Sequence, residues 1–124
     1  MSTAETRRLV VKVTAGAEAA ERANQGFTVA ATAAAAGAEV SLWLTGDAAW
    51  LATPGRAATF ELPHATPLDA LLDTVLAAGT VTVCTQCAAR RSLIEADFVD
   101  GVRVCGSAVF VEEILAPGTQ AIVY

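Results

Sequence analysis

The spacing of hydrophobic positions switches period several times along the chain. Arg8–Thr14 holds Leu9, Val10, Val11 and Val13, a short β-branched run of strand length. Ala15-Gly16-Ala17 reads as a turn, and Glu18 and Glu21 open a helical segment that continues to Ala36. Acidic residues in a first turn suit the positive end of a helix dipole, and Gly37 is placed as a C-cap. Glu39–Leu44 predicts a second strand. Thr45-Gly46-Asp47 predicts a turn, with Thr45 or Asp47 capping a short helix through Leu51. Thr53–Pro67, broken by Pro54, Gly55 and Pro63, is the least regular region and predicts a short extended piece from Ala58 to Leu62.

Helical spacing returns in Asp69–Ala78, where Leu68, Leu71, Leu72, Val75 and Leu76 share one face and Gly79 ends the segment. Thr80–Cys84 is a strongly β-branched third strand that passes directly into a helix from Cys84 to Arg91. A loop over Glu95–Gly101 leads to strand Val102–Cys105, helix Ser107–Leu115, a Pro117-Gly118 turn and a last strand, Gln120–Tyr124. Strands alternate with helices throughout. That order predicts an α/β fold: a mostly parallel sheet of about five strands with helices on both faces, because right-handed crossovers put them there. At 124 residues, 1–124 forms one domain.

Charge and composition narrow the function classes. The net charge is −5, with only 17% charged residues and no basic cluster, which argues against nucleic acid and against polybasic membrane docking. Met1–Arg8 is polar and followed by a strand-length apolar run, so no export signal is expected. The longest uncharged stretch, Ala23–Ala38, is interrupted by Asn24, Gln25 and two glycines, so no transmembrane span is expected there. Cytoplasmic localisation follows as the expectation, and three cysteines then read as thiols rather than a disulfide framework.

Past Arg22 the first helix carries no charge, with Ala23, Phe27, Ala30 and Ala34 on one face and Gly26, Val29, Ala33 and Ala36 on another. Such a helix is either packed on two sides within the chain or meets another subunit on its outer face. A domain this small has little material to cover an outer helix, so a homo-oligomer is expected.

Candidate chemistry concentrates where the third strand becomes a helix. Cys84 stands at the carboxyl end of a parallel strand, where α/β sheets bind ligands. It also stands at a helix start, where unpaired N–H groups lower a thiol's pKa and favour the reactive thiolate. The alternative is a small buried hydrophobe at the strand end. Cys87 completes a C-x-x-C and opens two further readings. A redox pair is one, although little chain follows it for a thioredoxin-like fold. A zinc site is the other, although its remaining ligands would have to be Cys105 and His64, without paired spacing. Cys105, inside an apolar strand, reads as a core residue, and His64 as an incidental loop histidine. Arg90 and Arg91 either help to hold an anion or thiolate near Cys84 or form a solvated helix face. Asp47 reads as a cap. No GxGxxG or P-loop signals a nucleotide, and one histidine cannot complete a Ser/His/Asp triad.

Several blocks, in order, resemble the DsrE/DsrF-like family of small sulfur-relay proteins. They are Glu21-Arg22-Ala23, the helix end Ala35–Val40, the strand and turn Leu42–Asp47, Cys84–Leu93 as a "C-x-x-x-A-x-R-R-G" block, Gly106–Glu112 and Ile122-Val123-Tyr124. Ser92 stands where the family often has Gly, and Cys87 where it often has Ala. The resemblance implies a Rossmann-like three-layer fold assembled as trimers or hexamers. It implies a cysteine at the position of Cys84 that accepts sulfane sulfur as a persulfide and passes it to a partner cysteine. Sulfur-donor and sulfur-acceptor proteins are the expected partners, with no metal or organic cofactor. A Cys84–Cys87 thiol redox sensor and a non-catalytic oligomeric binding module remain as alternatives.

Overall fold

A computed structural model of the chain describes residues 7–124; the polar lead-in read as lacking an export signal lies largely outside the described residues. The strands are β1 Arg8–Val13, β2 Glu39–Leu44, β3 Thr80–Cys84, β4 Val102–Cys105 and β5 Thr119–Val123. The helices are α1 Ala20–Ala35, α2 Arg56–Thr59, α3 Leu68–Ala78, α4 Thr85–Arg90 and α5 Ser107–Ile114. Short 3₁₀ turns occupy Ala17–Ala19, Gly46–Ala52 and Glu95–Asp97. All five strands are parallel, in the order β4-β3-β2-β1-β5. The α/β expectation is met, and the sheet is wholly rather than mostly parallel.

The order fixes where the helices go. From β1 to β4 the chain moves one strand at a time in one direction, then returns across the sheet to pair β5 with the far side of β1. Right-handed crossovers put helices on one face during the outward steps and on the other during the return. Accordingly α1 and α3 cover the first face, over Val11, Val13, Val40, Leu42, Leu44, Val81 and Val83, all essentially inaccessible. Ala88 and Phe98, from the β3–β4 connection, join the same cluster. The second face carries Val10, Lys12, Ser41, Trp43, Thr82 and Arg103, and α5 lies over it. Phe110 meets Trp43 edge-on at 5.2 Å between ring centroids.

That second layer is polar at its centre. Glu113 Oε1 accepts from Ser41 Oγ (2.5 Å) and Trp43 Nε1 (2.9 Å). Arg103 donates to Glu113 Oε2 through Nη2 and to Thr82 Oγ1 through Nε at 2.5 Å. Trp43 is only 1% exposed, so its indole N–H needs this partner. Burial pushes the Glu113 carboxyl up, but the bonds from Ser41, Trp43 and Arg103, with the Arg103 charge, outweigh it and hold the group below its usual range.

Several local expectations change. The extended piece over Ala58–Leu62 is absent: Arg56–Thr59 is helical, launched from Gly55 at φ 83°. Thr59 Oγ1 donates to the Gly55 carbonyl, and β2 and β3 pair directly, leaving no slot for another strand between them. The first helix starts only at Ala20, because Gly16 N–H donates to Glu18 Oε1 at 2.6 Å and holds a separate turn. Neither Thr45 nor Asp47 caps the following 3₁₀ turn. Thr45 Oγ1 donates to the Val13 carbonyl and Asp47 binds Arg91.

Helix α1 shows the intrachain packing of its first reading, and its outer face is exposed. It is packed on two sides within the chain, by the sheet and by α3, and its exposed positions include Arg22, Gln25, Thr28 and Thr32. Gly26 is required there, since a Cβ would run into Val13 Cγ2. The exposed large apolar side chains lie elsewhere: Ile94 (67% exposed) in the β3–β4 connection, Val111 on α5, Leu115 (75%) just past its end, and Ile122 and Val123 on β5.

Candidate functional site

The connection after β3 passes over the first face, and the connection after β4 returns over the second. The carboxyl ends of β3 and β4 stand side by side on the edge of the sheet along which open α/β folds hold ligands. Cys84 is the last residue of β3 and Cys105 the last of β4, and the two are register partners.

Cys84 leaves β3 in an extended conformation (φ −63°, ψ 130°) and α4 begins at the next residue. Its sulfur is half-buried. The amide N–H groups of Cys87 and Gln86 lie close enough to favour its charged form, although neither makes a cap hydrogen bond to it. Partial burial raises the thiol's pKa. The amides of Cys87 and Gln86, the Cys87 thiol and the Lys12 charge more than offset that, and the Cys84 thiol is held below its ordinary value. Lys12 is fixed over the Phe110 ring at 5.0 Å on the same face of the sheet.

The other sequence candidates separate. Cys87 is buried in α4 with its thiol beside Cys84, which fits a supporting donor. Arg91 turns away from the cysteine: Nη2 and Nε donate to Asp47 Oδ1 at 2.7 and 3.1 Å, and Nη1 donates to the Cys87 carbonyl at 3.0 Å. It ties α4 to the turn after β2 and is neither the solvated face nor the thiolate partner expected of it. Arg90 is exposed and, among the described residues, forms no salt bridge. His64 is exposed at φ 62° and contributes nothing to the Cys84 environment. Among the described residues no cluster of three metal-ligating side chains occurs. Cys105 is a correction: it is half-buried at a strand mouth, not a core residue. The sequence signal was two successive strands each ending in Cys, which gains meaning only once β3 and β4 are known to be neighbours.

Ser92 explains itself as a departure. Leu93 N–H donates to the Ala88 carbonyl (2.9 Å) and Ser92 N–H to Ala89 (3.0 Å), the Schellman pattern that ends a helix with a left-handed residue. Ser92 adopts φ 55°, the conformation for which glycine is preferred. A cleft of about 450 Å³, bordered by Arg8, Ser41, Thr80, Arg103 and Thr119, opens at the amino ends of the strands. It is separated from Cys84 by the length of β3, about 13 Å, and serves a different surface.

The arrangement suits nucleophilic sulfur chemistry: one half-buried thiol with a favoured thiolate, beside a second accessible thiol, at the ligand-binding edge of the sheet. The YchN protein of E. coli has a similar fold, with a TM-score of 0.80 and 15% identity over 96% of this chain and 100% of that one. A protein of unknown function from Methanobacterium thermoautotrophicum is similar at a TM-score of 0.72 and 10% identity, over 95% of this chain and 99% of that one. A third, from Bacteroides thetaiotaomicron and also of unknown function, gives 0.63 and 14%, over 94% of each chain. At these identities the likeness speaks to fold alone. No curated protein matches. The DsrE/DsrF-like family model matches residues 7–123, nearly the whole chain, and the chain belongs to the DsrE/DsrF-like family.

Proposed function

We propose that the protein is a sulfur carrier, with Cys84 as the atom that is loaded. The observation that supports this most is the environment of Cys84, a half-buried thiol at the carboxyl end of β3 whose charged form is favoured by two amides, a neighbouring thiol and Lys12. The Cys84 thiolate attacks the outer sulfur of a donor persulfide, R–S–SH. A bond forms from Cys84 Sγ to that sulfur, the donor's S–S bond breaks, and the donor leaves as R–S⁻. The product is Cys84–S–SH. A partner thiolate then attacks the same outer sulfur and Cys84 departs as thiolate, with no net oxidation. The reducing cytosol is the compartment in which we place this relay, since it keeps the thiols free.

The direct test is the intact mass after brief exposure to inorganic polysulfide. The native chain gains about 32 Da, removable by dithiothreitol, and Cys84→Ser does not. A native chain that gains nothing while its thiols stay free to alkylation defeats the proposal.

We also propose that the working unit is a homo-oligomer, a trimer or hexamer as the family likeness implies, formed through α5 and β5. Its support is the exposed Val111, Leu115 and Val123, together with the unpaired outer edge of β5. Light scattering at micromolar concentration should show a particle several times 12.7 kDa; a 12.7 kDa particle would contradict it. A second reading of the thiols, a Cys84–Cys87 redox sensor, is favoured by the contact between those side chains. It predicts an internal disulfide on treatment with peroxide, two water molecules being formed per peroxide consumed.

A further inference from the structure

The geometry points to Cys105 as a second sulfur station, which takes the sulfane sulfur from Cys84 across the β3–β4 boundary. This rests on the persulfide reading of Cys84.

Four observations carry it. Cys84 and Cys105 are register partners on adjacent parallel strands, so their backbones lie about 4.8 Å apart and their side chains leave the same face of the sheet. The residues two positions earlier show that face directly, because Arg103 Nε donates to Thr82 Oγ1 at 2.5 Å. Both cysteines are half-buried and open to solvent, whereas Cys87 is buried. The residue after Cys105 is Gly106, which adds no side chain of its own at the end of β4.

The spacing favours transfer over a disulfide. Disulfides bring Cβ atoms to about 3.5–4.5 Å, closer than side-by-side residues of a parallel pair normally stand. A persulfide extends Cys84 by a further S–S bond of about 2 Å, which carries its outer sulfur across that gap. The Cys105 thiolate attacks this outer sulfur. A bond forms between Cys105 Sγ and the outer sulfur, and the bond from Cys84 Sγ to the outer sulfur breaks. Cys84 leaves as thiolate and the outer sulfur keeps its proton. Cys84–S–SH and Cys105–S⁻ become Cys84–S⁻ and Cys105–S–SH, with no oxidant or reductant required. Cys84 departs readily because its thiolate is favoured.

The sequence provides the assay. Trypsin cleaves after Arg56, Arg90 and Arg103, so Cys84 and Cys87 fall in peptide 57–90 and Cys105 in peptide 104–124. The chain is loaded with inorganic polysulfide, freed of excess reagent, alkylated at successive times and digested. The extra sulfur, about 32 Da, is expected first on 57–90 and then on 104–124. Cys84→Ser should lower the load on 104–124 at least tenfold, roughly, while Cys105→Ser keeps its full load on 57–90. Sulfur that stays on 57–90 throughout overturns the second station and leaves the Cys84 proposal standing. Loading of 104–124 in Cys84→Ser as fast as in the native chain overturns the transfer step. A disulfide between the two peptides in place of a persulfide on 104–124 also overturns it. Sulfur on neither peptide defeats both proposals.

Discussion

Replacing Glu113 by Leu tests the account of the second sheet face. The substitution puts an apolar side chain of similar size between α5 and the sheet and removes the acceptor shared by Ser41, Trp43 and Arg103. The Trp43 indole N–H is the costly loss, because Trp43 is 1% exposed and no water reaches it; an orphaned buried donor costs about 1–3 kcal/mol. The Ser41 hydroxyl can rotate and adds roughly 0.5–1 kcal/mol. The Arg103 side chain is 38% exposed, so its ion pair is screened and contributes at most about 1 kcal/mol. Together these give about 1.5–5 kcal/mol, or a fall of roughly 6–20 °C in Tm for a domain of this size. Thermal unfolding followed by circular dichroism at pH 7 reads it directly. The effect is pH-dependent with a definite sign. The folded carboxyl titrates below its unfolded value, so its stabilisation is complete above about pH 4.3 and is lost as the pH falls through the folded value. The gap between native and Glu113→Leu chains should therefore narrow as the pH falls below about 4.3. A variant within about 0.5 kcal/mol of native at pH 7, or a gap that does not change with acid, refutes the reasoning.

Three further outcomes are expected. Cys84 should be alkylated by iodoacetamide with a pH midpoint below that of a free thiol, about 8.5, and Cys87→Ala should move that midpoint upward by removing one donor to the thiolate; an unshifted midpoint in the variant counts against the Cys87 contact. Ser92→Gly should raise stability by up to about 1 kcal/mol, because it relieves a left-handed residue at the end of α4; denaturant melts that show a loss would contradict the cap assignment. Gly26→Ala should destabilise by about 1–3 kcal/mol, since Val13 must move to admit the methyl group, and calorimetry showing an unchanged Tm would indicate slack in the α1–β1 contact.

The fold was legible wherever the hydrophobic period was unambiguous. Val81, Val83 and their neighbours mark a buried parallel strand by themselves, and Gly37 and Gly79 end helices where turn chemistry requires. The failures have physical causes. The segment around Ala58 has enough apolar residues for a strand, but pairing is a tertiary matter and the sheet has no vacancy there. Asp47 looked like a cap because caps are local; its real partner, Arg91, lies 44 residues away. Helix α1 packs on two sides, against the sheet and α3, which depends on tertiary neighbours that sequence spacing does not show, and the exposed large apolar side chains lie outside it, Ile94, Leu115 and Val123 foremost. At the site, the Cys84 strand-to-helix junction is a local feature and was readable. The pairing of Cys84 with Cys105 depends on strand order and register, which no single stretch of sequence encodes.

The claim at the centre of the account is that sulfur passes through Cys84. A chain loaded with ³⁵S-labelled polysulfide, cleared of reagent and then offered a small-molecule dithiol measures this in one experiment. The native protein is predicted to take up label and release it to the dithiol, and Cys84→Ser to take up none. Equal uptake and release by Cys84→Ser, or native protein that never acquires label, would contradict the account.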